Sequence, residues 1–350
     1  MSIKKFFFNL FHWEKWHYHV KYIPLYPAWM WYCLRSGSWW FFTSSNPTLT
    51  FGGFEGESKK EMYDQLPTWS YPKSVYISPF EHFTSIEKKI ADKNFAYPIA
   101  VKPDIGMMGF LFRKIDNLED LINYHSKIPV DYIIQELIAY RMEVSVFYYR
   151  FPGEENGHIT GFLKKELLEV TGDGKQTLGE LMVTLNSRPS FKINEWKIKH
   201  ATMIHQVIPA GEVFRISWVA NLSRGGKLIH LADQKDEALL KVFDELSHYT
   251  KHFYYGRYDI KCESIEELKM GNFSILEFNG SGAEPHHIYG SGNYLLQAYK
   301  IILDHWAVLY RISRYNHDKG IRYWKFRSGL KFLKEAKKHF SLLKKLDQEI

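Results

Sequence analysis

The clearest alternation in the chain runs from Phe273 to Asn279. Ser274, Leu276 and Phe278 fall on one face, and Phe273, Ile275, Glu277 and Asn279 on the other. Arg257–Ile260 reads as a preceding strand, and a Gly/Ser-rich turn follows Asn279. Pairing the two strands lets Asp259 join Glu277 and Asn279. Two carboxylates and an amide oxygen suit Mg²⁺ held against phosphate oxygens. A strand end with solvated acids reads the same way.

The same patterning predicts further elements. Strands are expected at Lys73–Ile77, Tyr97–Lys102, Phe110–Lys114, Tyr132–Ile138, Glu143–Tyr149 and Phe214–Asn221. Helices are expected over 78–94, 116–127 with Asp116 as cap, Asp236–His252 and Leu295–Tyr310. Ser58 followed by Glu61 fits a capping box, and Thr177 caps another helix. Lys102 enters a loop with Gly106 and Gly109, where backbone N–H groups can approach phosphate. The lysine precedes the glycines, so this is not a Walker-type loop, and a plain hairpin would look similar.

Composition changes the picture at the two ends. Residues 1–50 crowd aromatics such as Phe6, Trp13, Trp29, Trp31, Trp39 and Phe42 among Lys4, Lys5, Lys15, Lys21 and Arg35. Packing on the main body or lining a pocket for a bulky substrate is the first reading, and a membrane interface the second. From Lys319 onward a basic amphipathic helix is expected, either packed with a solvated basic face or lying on a membrane. The net charge of +7 calls for an anionic partner: nucleotide, phosphorylated substrate or an anionic membrane surface. Nucleic acid is disfavoured, because no reader motif accompanies the charge. Cys33 and Cys262 are the only cysteines, which fits a reducing, cytoplasmic location, peripheral at the membrane in the second reading. No apolar run reaches the ~20 residues of a membrane span.

In this order the pieces resemble the ATP-grasp superfamily, from about Lys59 to Arg314, and most closely the D-alanine–D-alanine ligase and cyanophycin/glutathione synthetase branches. The resemblance implies an α+β fold of two lobes gripping ATP. Residues 1–58 would be an aromatic extension, 59–137 the small lobe, 138–314 the large lobe with the metal site, and 315–350 the basic helix. Lys102, Gly106 and Gly109 would hold ATP phosphates, with Lys60 (or Lys59) as an earlier phosphate lysine. Glu136, Leu137 and Ile138 would hold adenine, and Glu143 the ribose. Lys164 or Lys165 would add a nucleotide contact. Thr171–Lys175 and Asn221–Gly226 are similar to the GDGK and N-S-GG stretches. Asp259, Glu277 and Asn279 would bind Mg²⁺ or Mn²⁺. Arg257 would stabilise the reacting acyl phosphate, with Lys102, Ser281 and Gly282 as further catalytic positions. The implied activity is an ADP-forming ligase joining a carboxylate to an amine, with amino-acid or peptide-like substrates. Alternatives are an ATP-grasp enzyme of cell-surface glycan or lipid modification, a kinase, or a non-catalytic, membrane-docked nucleotide binder. The turn Gly280–His287 lacks the proline-glycine pattern of D-alanine ligases, which points to a different substrate.

Overall fold

The computed structural model describes residues 13, 16, 18–187, 191–218, 220, 225–289, 292 and 294–349. Two short helical segments open it, α1 (Tyr18–Tyr22) and α2 (Tyr26–Ser36), followed by α3 (Lys59–Tyr63). Then come β1 (Ser74–Ile77), α4 (Phe83–Asp92), β2 (Ile99–Pro103), β3 (Arg113–Ile115), α5 (Leu118–Lys127) and β4 (Tyr132–Glu136). These strands form a four-stranded antiparallel sheet in the order β1-β4-β2-β3. Its apolar face carries Val75, Val101 and Ile134 against Ile86 of α4 and Leu121 of α5.

The next strands are β5 (Met142–Tyr149), β6 (His158–Glu166) and β7 (Glu169–Thr171). After α6 (Leu178–Leu181), α7 (Ile193–Lys199) and β8 (Val213–Arg215) come β9 (Lys227–His230) and α8 (Glu237–Thr250). The body closes with β10 (Tyr255–Cys262), α9 (Ile265–Lys269), β11 (Phe273–Asn279) and α10 (Leu295–Asp318). A second antiparallel sheet runs β11-β10-β5-β6-β9, and β7 pairs with β8 as a separate ribbon. One face of the second sheet is covered by α8 and by Met62, Tyr63 and Leu66 of the α3 region. The basic tail is one long helix, α11 (Phe326–Glu349).

Aromatic residues of the extension bury themselves. Phe41, Phe42 and Phe51 pack with Phe147, Tyr255, Leu309 and Ile312 on the outer face of the second sheet, at ~2–3 kcal/mol per fully buried ring. Buried Asn46 ties this segment down. Its Oδ1 accepts from the backbone N–H of Tyr254 and Tyr255, and its Nδ2 donates to the carbonyls of Tyr255 and Gly52.

Several local expectations need correction. Asn117, not Asp116, caps α5 by accepting from the Asp120 N–H. Ser58 caps α3, but Glu61 does not reciprocate; its carboxylate accepts from Thr50 N and Oγ1 and braces the extension. Thr177 and Glu180 make the true capping box. The strand expected at Phe214–Asn221 is only Val213–Arg215, because β7 offers three residues to pair with. Asn221 to Arg224 lie outside the described residues, so the expected N-S-GG stretch is described only at Gly225 and Gly226.

Candidate active site

A cleft of about 420 Å³ lies between the two sheets. Strand alternation decides which side chains enter it. The register of β10 and β11 sets Asp259 opposite Glu277 and Arg257 opposite Asn279, so all four line the cleft. The next strand, β5, sets Ser145 beside Asp259, and Ser145 Oγ donates to Asp259 Oδ1 at 2.9 Å. Lys165 on β6 reaches the same oxygen at 2.9 Å and Glu143 at 3.4 Å. Lys164, its neighbour and the other candidate of the sequence reading, faces the other side of the strand and is not among the cleft-lining residues.

The buried charges respond to one another. Burial opposes the charge of Asp259, but Arg257 and Lys165 outweigh it and hold the carboxyl well below its usual range. Burial likewise opposes the charge of Lys165, and Asp259 and Glu143 outweigh that, raising its pKa. Burial raises Glu143, with Lys165 working against it. Burial and then the Arg257 cation push His286 well below its usual value. His286 is therefore neutral, and its Nε2 lies 3.3 Å from Arg257 Nη1, which also donates to the Glu284 carbonyl.

On the opposite wall the hydrogen-bond partners of Lys102 among the described residues are the Tyr63 hydroxyl and the Leu276 carbonyl, both at 3.3 Å. Burial, followed by repulsion from Lys59, brings its pKa down to about 7. Lys59 enters the cleft and lies 3.3 Å from Glu277. Lys60 does not line the cleft: its ammonium pairs with Asp64 one helical turn on, in solvent. The helix start is locked by Asp104, which accepts from Ser58 Oγ and Lys60 N. Burial also lifts Glu57, at the cleft edge, to about 7.

Gly106 and Gly109 line the cleft in a strained loop, where Met108, Gly109 and Leu111 all have positive φ (55°, 68° and 57°). Helix α11 holds this loop from outside. Buried Asp347 accepts from Leu111 N (2.9 Å) and Arg113 (3.0 Å), and Lys199 reaches it at 3.1 Å. Phe340 of α11 reaches the cleft wall. The Glu136–Ile138 connection between the sheets also lines it. Ser281 and Gly282 do not. That turn packs on the extension, Ser281 N donating to the Gly52 carbonyl and Gly282 N to the Gly53 carbonyl.

Among the described residues no three His, Cys, Asp or Glu side chains form a metal cluster. The candidate donor set is instead two carboxylates and the Asn279 amide. Asp259 Oδ1 is taken up by Ser145 and Lys165. Oδ2 has only long contacts, 3.4 Å to Arg257 and 3.3 Å to Asn279. Oδ2, Glu277 and Asn279 therefore fit a hard, oxygen-seeking cation.

Lys261 and Phe340, which the sequence reading did not single out, also line the cleft, as does His286 of the turn after Asn279. Only His286 had a signal, as a histidine just after the metal-strand turn.

No family model matches the sequence, and no curated protein matches it. Solved structures that are similar at low identity include three ligases. A bifunctional glutathione synthetase from Pasteurella multocida is 16% identical with a TM-score of 0.37, over 70% of this chain and 35% of its own. A D-alanine–D-alanine ligase from Bacillus anthracis is 13% identical with a TM-score of 0.43, over 75% of this chain and 69% of its own. The VanG D-Ala:D-Ser ligase from Enterococcus faecalis is 16% identical with a TM-score of 0.42, over 74% of this chain and 62% of its own. The chain thus spans well under two thirds of the glutathione synthetase. The cleft of this mixed helix and sheet chain lies between a four-stranded and a five-stranded antiparallel sheet.

Proposed function

We propose that this chain is an ATP- and Mg²⁺-dependent carboxylate–amine ligase that works through an acyl phosphate and releases ADP. The observation that carries the reading is Lys102, a half-buried cleft lysine with no carboxylate in ion-pair range among the described residues and Lys59 repelling it. A phosphate chain supplies the close counter-charge that Lys102 lacks. Lys102 and Lys59 bind phosphate oxygens, and the Gly106–Gly109 backbone closes over them. The Glu136–Ile138 connection takes the adenine edge and Glu143 the ribose.

Asp259, Glu277 and Asn279 offer three oxygens to Mg²⁺, which when bound screens the charge of the transferring phosphoryl group. A carboxylate substrate attacks the γ-phosphorus; the bond to the β-phosphate oxygen breaks and ADP leaves. An amine then attacks the acyl carbon, phosphate leaves, and the amine loses a proton. Arg257, oriented by Asp259, the Glu284 carbonyl and neutral His286, offers a planar fork to the oxyanion. Loop closure keeps water from the acyl phosphate.

Coupled ADP release with Mg²⁺–ATP and pooled carboxylates and amines tests the reading. Turnover should need both pools and drop at least about 100-fold in Glu277→Ala. ADP formed with a hydroxyl acceptor and no amine would make the chain a kinase instead.

A further inference from the structure

Part of the extension's aromatic surface is left outside the core. Trp31 (57% exposed), Leu34 (72%), Trp39 (52%) and Phe326 (52%) stand in solvent. Trp31 and Leu34 stand three residues apart on α2, and the exposed Val20 of α1 and Ile23 just after it precede them. After the turn at Gly37 the chain reaches Trp39, whose ring lies 6.4 Å from that of Phe326 at the start of α11. Arg35 lies over the Trp31 ring at 5.9 Å.

A second cavity, of about 380 Å³, opens beside these residues. Its walls include the Ser36–Trp39 turn, Arg322, Lys325 and Phe326. The charge around it has one sign. No Asp or Glu occurs from Tyr18 to Phe54 or from Lys319 to Lys334, while Lys319, Arg322, Lys325, Arg327, Lys331 and Lys334 fill the second stretch. The preceding acid, Asp318, is already paired with Arg314.

We propose that this face docks on an anionic phospholipid surface. The cavity at Arg322 and Lys325 takes a headgroup phosphate, and Trp31, Leu34, Trp39 and Phe326 enter the interface. Exposed aromatic and aliphatic side chains beside Arg322 and Lys325, which make no ion pair among the described residues, supply the two signals that stable interfacial binding needs. Each cation near an anionic leaflet adds attraction that salt screens. No helix among the described residues is long and apolar enough to cross a membrane, so the attachment is to the surface.

The test is sedimentation of the full chain with phosphatidylcholine vesicles, with and without about 30% phosphatidylglycerol. The chain should pellet with the anionic vesicles and stay in solution with the neutral ones. Both Trp31→Ser/Leu34→Ser and Arg322→Glu/Lys325→Glu should weaken partitioning more than about tenfold. Phe80→Ser, which changes a residue 91% exposed elsewhere, should not. Thermal melts of all variants check folding. No pelleting with either vesicle, or equal pelleting of the variants, would overturn the proposal. So would equally tight binding to an RNA oligonucleotide that survives Trp31→Ser/Leu34→Ser, since that marks a generic polyanion surface.

Discussion

Lys102 makes the affinity for nucleotide depend on pH in a way that can be worked out. In the free protein burial and Lys59 bring its pKa down to about 7. A bound phosphate favours the charged form and raises that value, so binding takes up a proton wherever the free lysine is neutral. At about pH 8 roughly 0.9 proton should enter per nucleotide bound. Between about pH 7 and 8.5 the charged fraction of the free lysine falls from about a half to about a thirtieth, so Kd should rise about 15-fold. Titration calorimetry with Mg²⁺–ATP in two buffers of different ionisation enthalpy reads the proton directly, and Lys102→Met should abolish both the uptake and the slope. A Kd that is flat with pH and no proton uptake would show that Lys102 does not meet phosphate. The sign for stability follows from the same displacement. Between about 7 and 10.5 the unfolded chain holds the proton that the folded chain has shed, so stability of the free protein rises with pH through that window.

Three further substitutions probe the frame of the site. Lys165→Met removes the ion-pair partner of Glu143 and one of the two cations paired with Asp259, and should cost about 3 kcal/mol in urea unfolding; a loss under about 1 kcal/mol would mean that the pair is not buried in solution. Gly282→Ala sets a Cβ 1.8 Å from the Phe54 carbonyl oxygen, so about 2–3 kcal/mol of stability should be lost as the extension undocks; an unchanged unfolding midpoint would contradict that packing. Asp347→Ala strips partners from Leu111 N, Arg113 and Lys199 and should cost about 2 kcal/mol. It should also speed proteolysis of the 104–112 loop, and unchanged cleavage would show that α11 does not hold the loop.

The strand pair carrying Asp259, Glu277 and Asn279 was legible because alternation alone fixes which side chains share a face. The choice between neighbours was not. Whether Lys59 or Lys60 enters the cleft depends on how Asp104 caps α3, a contact between residues far apart in the chain. Lys164 and Lys165 are separated only by the register of β6 on β5. Helix α2 escaped notice because its aromatics surround it: Cys33 is buried, Trp29 and Tyr32 are half-buried, and Trp31 and Leu34 are exposed, so no apolar stripe stands out. Ser281 and Gly282 looked catalytic from their place after Asn279. What their turn answers to is the close approach of Gly52, Gly53 and Phe54, which only the folded chain brings there.

The central claim is that the cleft activates a carboxylate with ATP, and hydroxamate trapping tests it without knowledge of the natural amine. The chain is incubated with Mg²⁺–ATP, pooled amino acids and small peptides, and hydroxylamine. The account predicts a hydroxamate and ADP in equal amounts, both dependent on the carboxylate pool and lost in Glu277→Ala. ADP without hydroxamate, or hydroxamate that persists in Glu277→Ala, would contradict it.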